Sequence, residues 1–221
     1  MLINGLPGDS INASDRGLLY GDGVFRTLLI RQGKPVLWQH HYSKLQHDCA
    51  AIGIKCPPVQ QLESELGQLT GDHVEGVAKI TITRGISNRG YAPAANPQVT
   101  RILSLSPLPG YPESNATHGI SMHVCKLRLG HQPRLAGIKH LNRLEQVLAR
   151  AEWGDDYAEG LMLDESGNLI EGTVTNVFLV EAGALVEPTG DMSTQTGGRP
   201  AALFRFRRSV LQERPAPRLR A

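Results

Sequence analysis

The order of hydrophobic periodicities between residues 24 and 106 constrains the fold more tightly than any other feature of the chain. Residues 24–30, VFRTLLI, form a β-branched and aromatic run that reads as a strand. Residues 35–52 then set Trp38, Tyr42, Leu45, Cys49 and Ile52 on one helical stripe, with Pro35 at its head. A second stripe, Val59, Leu62, Leu66 and Leu69, is opened by Pro57-Pro58 and closed near Gly71. Period-two runs return at 77–83 and 100–106. A strand, two amphipathic helices and two further strands hide their apolar sides by laying the helices on a sheet, so a mixed α+β domain is expected. Residues 1–3 add a short strand entering the tight turn Asn4-Gly5, and Ser14-Asp15-Arg16-Gly17 reads as another turn. With 221 residues, 40% of them hydrophobic, the chain can bury a sizeable core.

Residues 107–118 are rich in proline, glycine and turn formers and read as a linker. It separates an N-terminal α+β domain, 1–106, from a second domain at 119–186. Alternation resumes there at 119–125, with Ile120, Met122 and Val124 pointing one way. Then comes LAGIKHLNRLEQVLAR, residues 135–150: an apolar, glycine-containing approach to Lys139 followed by a helical repeat. Leu141, Leu144, Val147, Leu148 and Ala151 share one face of that helix, which ends near Gly154. A β-meander closes the domain, with strands at 159–164, 169–176 and 177–181 and turns at Ser166-Gly167-Asn168 and Ala182-Gly183.

The net charge of +2 is unevenly spread. Residues 187–221 hold seven arginines against three acids, a balance of +4 that leaves −2 for residues 1–186. Such an acid-poor, proline-punctuated tail can attract nucleic acid electrostatically, but its composition fits disorder better, and no nucleic-acid partner is expected. Three cysteines without a CxxC leave one over in any pairing and read as reduced thiols of a cytoplasmic protein. No apolar window is long enough to cross a membrane, and the first residues lack a signal-like pattern. His40, His41 and His47 have no carboxylate or cysteine at ligand spacing, so no metal is expected. Neither GxxxxGK(S/T), GxGxxG nor GxSxG occurs, which disfavours phosphate-loop and hydrolase chemistry.

Two residues carry chemistry on their own terms. Lys139 has its backbone fixed on both sides, which suits an amine that must meet a carbonyl carbon; on spacing alone, a solvated lysine at a helix start fits better. A Schiff-base lysine needs desolvation or a cationic neighbour to lower its pKa, and Leu135, Ile138 and Leu141, or Arg143 and Arg134, can supply these. Glu171 reads either as a carboxylate beside a cofactor or as a surface acid at a hairpin edge. Between the strands at 77–83 and 100–106, the segment 84–91 carries Arg84, Arg89 and Tyr91. It suits a small dicarboxylate, or is a solvated hairpin loop.

GIKHLNRLEQVLAR resembles, almost letter for letter, the lysine segment of the 4-amino-4-deoxychorismate lyases, pyridoxal-phosphate enzymes of the fold-type IV group that includes the branched-chain and D-amino acid aminotransferases. SDRGLLYGDGVFRT, the RGISNRGY loop and EGTVTNVF are similar to further words of that group, and the resemblance runs from residue 1 to about 186. It implies a two-domain fold with an N-terminal α/β sandwich and a C-terminal β-rich pseudo-barrel. Pyridoxal 5'-phosphate would be carried on Lys139, with Glu171 at its ring nitrogen and Val174, Thr175 and Asn176 near its phosphate. The family's phosphate-binding arginine is replaced here by Lys44, which keeps the charge and loses the bidentate fork. Arg84, Arg89 and Tyr91 would meet the substrate's carboxylates. The implied activity is a lyase converting 4-amino-4-deoxychorismate to 4-aminobenzoate and pyruvate in folate biosynthesis, in a cytoplasmic homodimer. An aminotransferase on the same scaffold, or an inactive remnant, are the alternatives. After Glu187 the resemblance disappears, and a truncated or altered C-terminal part, incomplete at 119–186 with an atypical basic, disordered tail at 187–221, is expected.

Overall fold

The computed structural model describes residues 1–71, 75–181, 184–186 and 202–203. The tail expected at 187–221, the dipeptide at 202–203 aside, and the turn expected at Ala182-Gly183 lie outside the described residues.

The N-terminal part is a six-stranded antiparallel sheet in the order β2-β1-β6-β5-β3-β4. Its strands are β1 (Leu2–Ile3), β2 (Leu6–Pro7), β3 (Gly23–Arg31), β4 (Lys34–Pro35), β5 (Gly76–Thr83) and β6 (Thr100–Ser106). Asn4 and Gly5 turn the chain between β1 and β2 with φ of 52° and 83°, values that asparagine and glycine tolerate best. Helices α2 (Trp38–Ala51) and α3 (Val59–Thr70) cover one face. Successive strand side chains alternate between faces, so Val24, Leu28 and Ile30 of β3 meet Leu45 and Cys49 of α2 and Leu62 and Leu66 of α3 in one core. The expected strands at 24–30, 77–83 and 100–106 are β3, β5 and β6, and α3 follows the expected stripe closely.

Two local expectations need correction. Pro35 does not head the first helix; it pairs with Ile30 as the last residue of the edge strand β4, and α2 begins at Trp38 after Leu37 takes a left-handed φ of 55°. An edge strand tolerates proline because the missing amide faces outward. Residues 14–17 do not form an isolated turn either. The Asp15 carboxylate accepts from the Gly17 amide and caps a short helix, α1 (Arg16–Tyr20).

Beyond β6, the expected linker contains a single turn of helix, α4 (Ser114–His118). A second, three-stranded sheet follows in the order β7-β8-β9, built from β7 (Met122–Leu129), β8 (Glu159–Asp164) and β9 (Leu169–Gly172). β7 and β8 run parallel, so the chain between them must cross over, and α5 (Leu144–Arg150) lies in that crossover. The expected meander is interrupted. β9 stops at Gly172, and β10 (Val177–Glu181) joins a different sheet, with β11 (Ala184–Val186) antiparallel on one side and β12 (Ala202–Leu203) parallel on the other. Cys125, Leu129, Ala149, Trp153, Met162 and Ile170 form a second, smaller core.

The helical stripe expected after Lys139 is also corrected. Leu144, Val147 and Leu148 are 68%, 60% and 53% exposed, and Ala149 is the buried residue of α5. The helix is anchored through its small residue, and its large apolar side chains face outward.

Candidate active site

The crossover between β7 and β8 leaves the small sheet and reaches the large one. Ile138 is buried in the first core, and residues 139–141 lie along the edge of β3. There the Phe25 amide donates to the Lys139 carbonyl at 2.9 Å, the Leu141 amide donates to the Gly23 carbonyl at 3.0 Å, and His140 bridges to Val24. Gly23 is required at this crossing: a Cβ there would stand 2.5 Å from the Ile82 carbonyl oxygen and 2.7 Å from the Leu141 side chain. Lys139 is thus held in extended backbone five residues before α5 rather than on the helix. Its amide also donates to Asp48 Oδ2 at 3.2 Å, which ties the segment to α2 as well.

The Lys139 side chain enters a cationic cluster. Lys79 Nζ, Lys139 Nζ and the Arg143 guanidinium carbon lie 4.7, 5.1 and 5.4 Å from the centroid of the Phe25 ring. Burial, then the charge of Arg143, lowers the pKa of Lys79, and burial outweighs the nearby carboxylates to lower that of Arg143. His140 is pushed down to about 4 by burial and by Arg143, against the pull of Asp48. His41, beneath the cluster, is likewise pushed down to about 4 by burial, then by Arg26 and Lys139. Both rings are therefore neutral near pH 7. On α2, Asp48 is fully buried and is paired with Arg26; Lys44, one turn earlier, lies 3.3 Å from its Oδ1 and donates to the Gly137 carbonyl at 2.8 Å.

Glu171, on β9 and 8% exposed, is near enough to Arg143 for its charge to act on that guanidinium, and it accepts a hydrogen bond of 3.1 Å from Gln146 of α5. Glu171, Gln146, Arg143 and His140 line a cavity of about 490 Å³, a size that holds a cofactor-sized molecule. The donor set fits a phosphorylated pyridine aldehyde: an amine on a fixed backbone beside the cavity-lining His140, a buried carboxylate on the cavity wall, and cations in excess. Among the described residues, Arg143 Nη2 and Arg26 Nε and Nη1 are buried without an acceptor, and a buried arginine donor is costly until an anion meets it.

The turn after Glu171 is organised by a residue that sequence reasoning missed. Glu159, buried at the start of β8, accepts from the Gly160, Thr173 and Val174 amides and from the Thr173 and Thr175 hydroxyls. This carboxylate pulls residues 173–175 inward and ends β9. The Val174 amide and Thr175 hydroxyl point to Glu159, while Asn176 follows at the head of β10.

The loop 84–91 lies on the other side of Gly23. Arg84 donates from Nε to Asp22 at 2.8 Å, from Nη1 to the Gly53 carbonyl at 2.7 Å and from Nη2 to the Ile52 carbonyl at 2.6 Å. Its fork is thereby engaged with the protein, whereas Arg89 is exposed and Tyr91 is 84% exposed. Burial alone would raise the Asp22 pKa, but hydrogen bonds and charge from Arg84 and Arg16 outweigh it and hold the carboxyl below its usual range. Sequence reasoning also passed over Arg16, Asp22, Phe25, Asp48 and Gln146. A carboxylate on the apolar stripe of α2 was the one available signal, for Asp48; the others are made relevant by contacts distant in sequence.

The family model described as amino-transferase class IV matches residues 23–196. The chain belongs to the class IV aminotransferases. Among members of this family, it is 36% identical over 183 residues to an aminodeoxychorismate lyase of Vibrio harveyi, a match covering 81% of this chain and 66% of that one. The crystal structure of 4-amino-4-deoxychorismate lyase from Pseudomonas aeruginosa superposes with a TM-score of 0.82 at 45% identity, over 89% of this chain and 73% of that one. A hypothetical aminotransferase from Mycobacterium tuberculosis in its PLP-bound form shares the fold, with a TM-score of 0.65 at 20% identity over 82% of this chain and 65% of that one. The class IV fold, fold-type IV, is thus the architecture of the chain, which spans just under two thirds of the Vibrio relative's length.

Proposed function

We propose that the chain is a pyridoxal-phosphate-dependent lyase that converts 4-amino-4-deoxychorismate to 4-aminobenzoate and pyruvate. The observation that carries this reading is that Lys139, docked on β3 within a cationic cluster, directly precedes the wall of a cavity that is also lined by the buried Glu171. The choice of a lyase rests on lyase relatives at 36% and 45% identity, against 27% for a putative branched-chain-amino-acid aminotransferase of Methanocaldococcus jannaschii.

Bound pyridoxal phosphate supplies an electron sink for the charge left when a proton departs from carbon. Lys139 would hold the cofactor at rest and, once the substrate's own amine has displaced it, its freed amine would take the proton from the amine-bearing ring carbon of the substrate. Glu171, steadied by Gln146, keeps the pyridine nitrogen protonated. The enolpyruvyl ether C–O bond breaks, the departing enolate takes up a proton to become pyruvate, which offsets the one removed by Lys139, and aromatisation makes the elimination downhill. We assign the phosphate to Lys44 and to the turn at Val174, Thr175 and Asn176. Since the Val174 amide and Thr175 hydroxyl serve Glu159, the turn contributes through its shape and through Asn176. Arg89 and Tyr91 meet the substrate's carboxylates, with Arg84 behind them holding the base of the loop.

We further infer a homodimer, in which the outward Leu144, Val147 and Leu148 of α5 are covered by a second copy. A cytoplasmic location is supported by three free thiols. Among the described residues, no helix is long and apolar enough to cross a membrane.

The test is incubation with 4-amino-4-deoxychorismate, following 4-aminobenzoate and pyruvate, and in parallel with pairs of amino and keto acids. Equimolar 4-aminobenzoate and pyruvate are expected. Keto-acid-dependent amino transfer without 4-aminobenzoate would replace the lyase with an aminotransferase, and failure to take up pyridoxal phosphate would discard both.

A further inference from the structure

We propose that Arg16 is the positioning residue that sets the substrate loop, residues 85–91, against the Lys139 segment. Arg16 is buried, yet its guanidinium spans two parts of the chain. Nε donates to Asp22 Oδ2 at 2.7 Å, Nη1 to Ser87 Oγ and the Gly90 carbonyl at 3.1 Å each, and Nη2 to the Tyr91 carbonyl at 2.8 Å. Its own amide donates to the Gly85 carbonyl at 2.9 Å, so both ends of the loop are tied to one residue. The same Asp22 carboxylate receives Arg84, and the Asp22 carbonyl accepts the Arg84 amide at 3.0 Å. The next residue, Gly23, accepts the Leu141 amide two positions after the lysine. A continuous set of hydrogen bonds therefore runs from Tyr91 through Arg16 and Asp22 to the strand that presents Lys139.

Only the arginine fork satisfies this geometry. Its donors leave in three directions in one plane, and a lysine ammonium on a flexible stem cannot reach Asp22, Gly90 and Tyr91 together. The Tyr20 ring closes the arrangement, 4.9 Å from the Arg16 guanidinium carbon and 5.4 Å from the Tyr91 ring. Arg16 thereby fixes the loop backbone and leaves Arg89 and the Tyr91 ring outward for a ligand. It touches none of the groups assigned to the chemical step, so its loss acts on substrate binding rather than on proton transfer.

The kinetic arm of the test rests on the lyase reading; a second arm does not. In Arg16→Lys and Arg16→Gln, loaded with pyridoxal phosphate, the KM for 4-amino-4-deoxychorismate is expected to rise about tenfold or more with kcat within about twofold. Cofactor absorbance per chain should stay at the wild-type level. Separately, trypsin cleavage after Arg89, followed by mass spectrometry on the substrate-free proteins, is expected to quicken in both variants as the loop is released. An unchanged KM, or a fall in kcat and cofactor content without a change in KM, overturns the proposal. So does cleavage at Arg89 at the wild-type rate, which decides the matter even if the wild-type protein proves not to be a lyase. Should Arg16→Gln fail to fold, Arg16→Lys and Ser87→Ala, which leave a cation beside Asp22, decide by the same cleavage measurement.

Discussion

The two sheets of this molecule spend their apolar residues differently. The six-stranded sheet buries one face under α2 and α3, and Leu28, Ile30, Leu45, Leu62 and Leu66 are almost wholly removed from water. The three-stranded sheet β7-β8-β9 has a smaller core around Met162 and Trp153, and its helix turns Leu144, Val147 and Leu148 outward. The first region is a well-buried layer, closed in part by Ile138 from the second. The second leaves large side chains of its helix exposed among the described residues, and its polar groups are spent on shaping a turn and holding Glu171. Lys139 belongs to the second region by chain order and to the first by hydrogen bonding, so the proposed site lies where the two regions meet.

The largest expected effect isolates chemistry from both regions. Lys139→Ala should lower 4-aminobenzoate formation by a factor on the order of 10³ or more while leaving the melting temperature nearly unchanged. A matching fall in thermal stability would mean that the lysine is structural. Next, Leu28→Ala in the well-buried core should cost about 2–5 kcal/mol in urea unfolding; a loss no larger than that of an exposed residue would break the contrast between the sheets.

The junction itself should show in pH. His41 and His140, both displaced downward to about 4, are neutral in the folded protein and protonate near 6.5 once unfolded. The stability they contribute is present above pH 6.5 and is lost as pH falls toward 4. Each should add a slope of at most about 1.4 kcal/mol per pH unit in that window, less for the half-buried His140, which solvent screens. Chemical denaturation across the range checks this, and a flat profile for wild type, or an undiminished slope in His41→Gln, would place the rings in solvent. The smallest effect is expected for Leu144→Ala, within about 0.5 kcal/mol for the isolated chain. A larger, concentration-dependent loss by sedimentation and thermal melts would sharpen the comparison by showing that a second copy covers α5.

Much of the first region was legible in the sequence because its signals are local. The alternation at 100–106 and the stripe from Val59 to Leu69 follow from the two-residue and 3.6-residue repeats of backbone geometry, and the structure places β6 and α3 accordingly. Pro35 misled because the same residue suits a helix start and a sheet edge, and the hairpin with β3 decided between them. The α5 stripe misled more instructively. Periodicity identifies an apolar face but not what covers it, and the monomer anchors this helix through Ala149. The strand expected at 169–176 ended early because the Glu159 carboxylate, distant in sequence, offers the turn amides better partners than a ladder would.

By itself the sequence determined a mixed helix-and-sheet architecture and singled out Lys139 and Glu171, since both inferences need only short-range pattern and the words around those two residues. Tertiary structure alone decided that Lys139 lies along β3 instead of on its helix, that Arg84 is held by Asp22, and that Arg16 and Glu159 shape the flanking loops. The reason is physical. A buried charge or fork of donors takes whatever partners folding brings within about 3 Å, and most of those partners lie 14 to 75 residues away, beyond the reach of any local repeat.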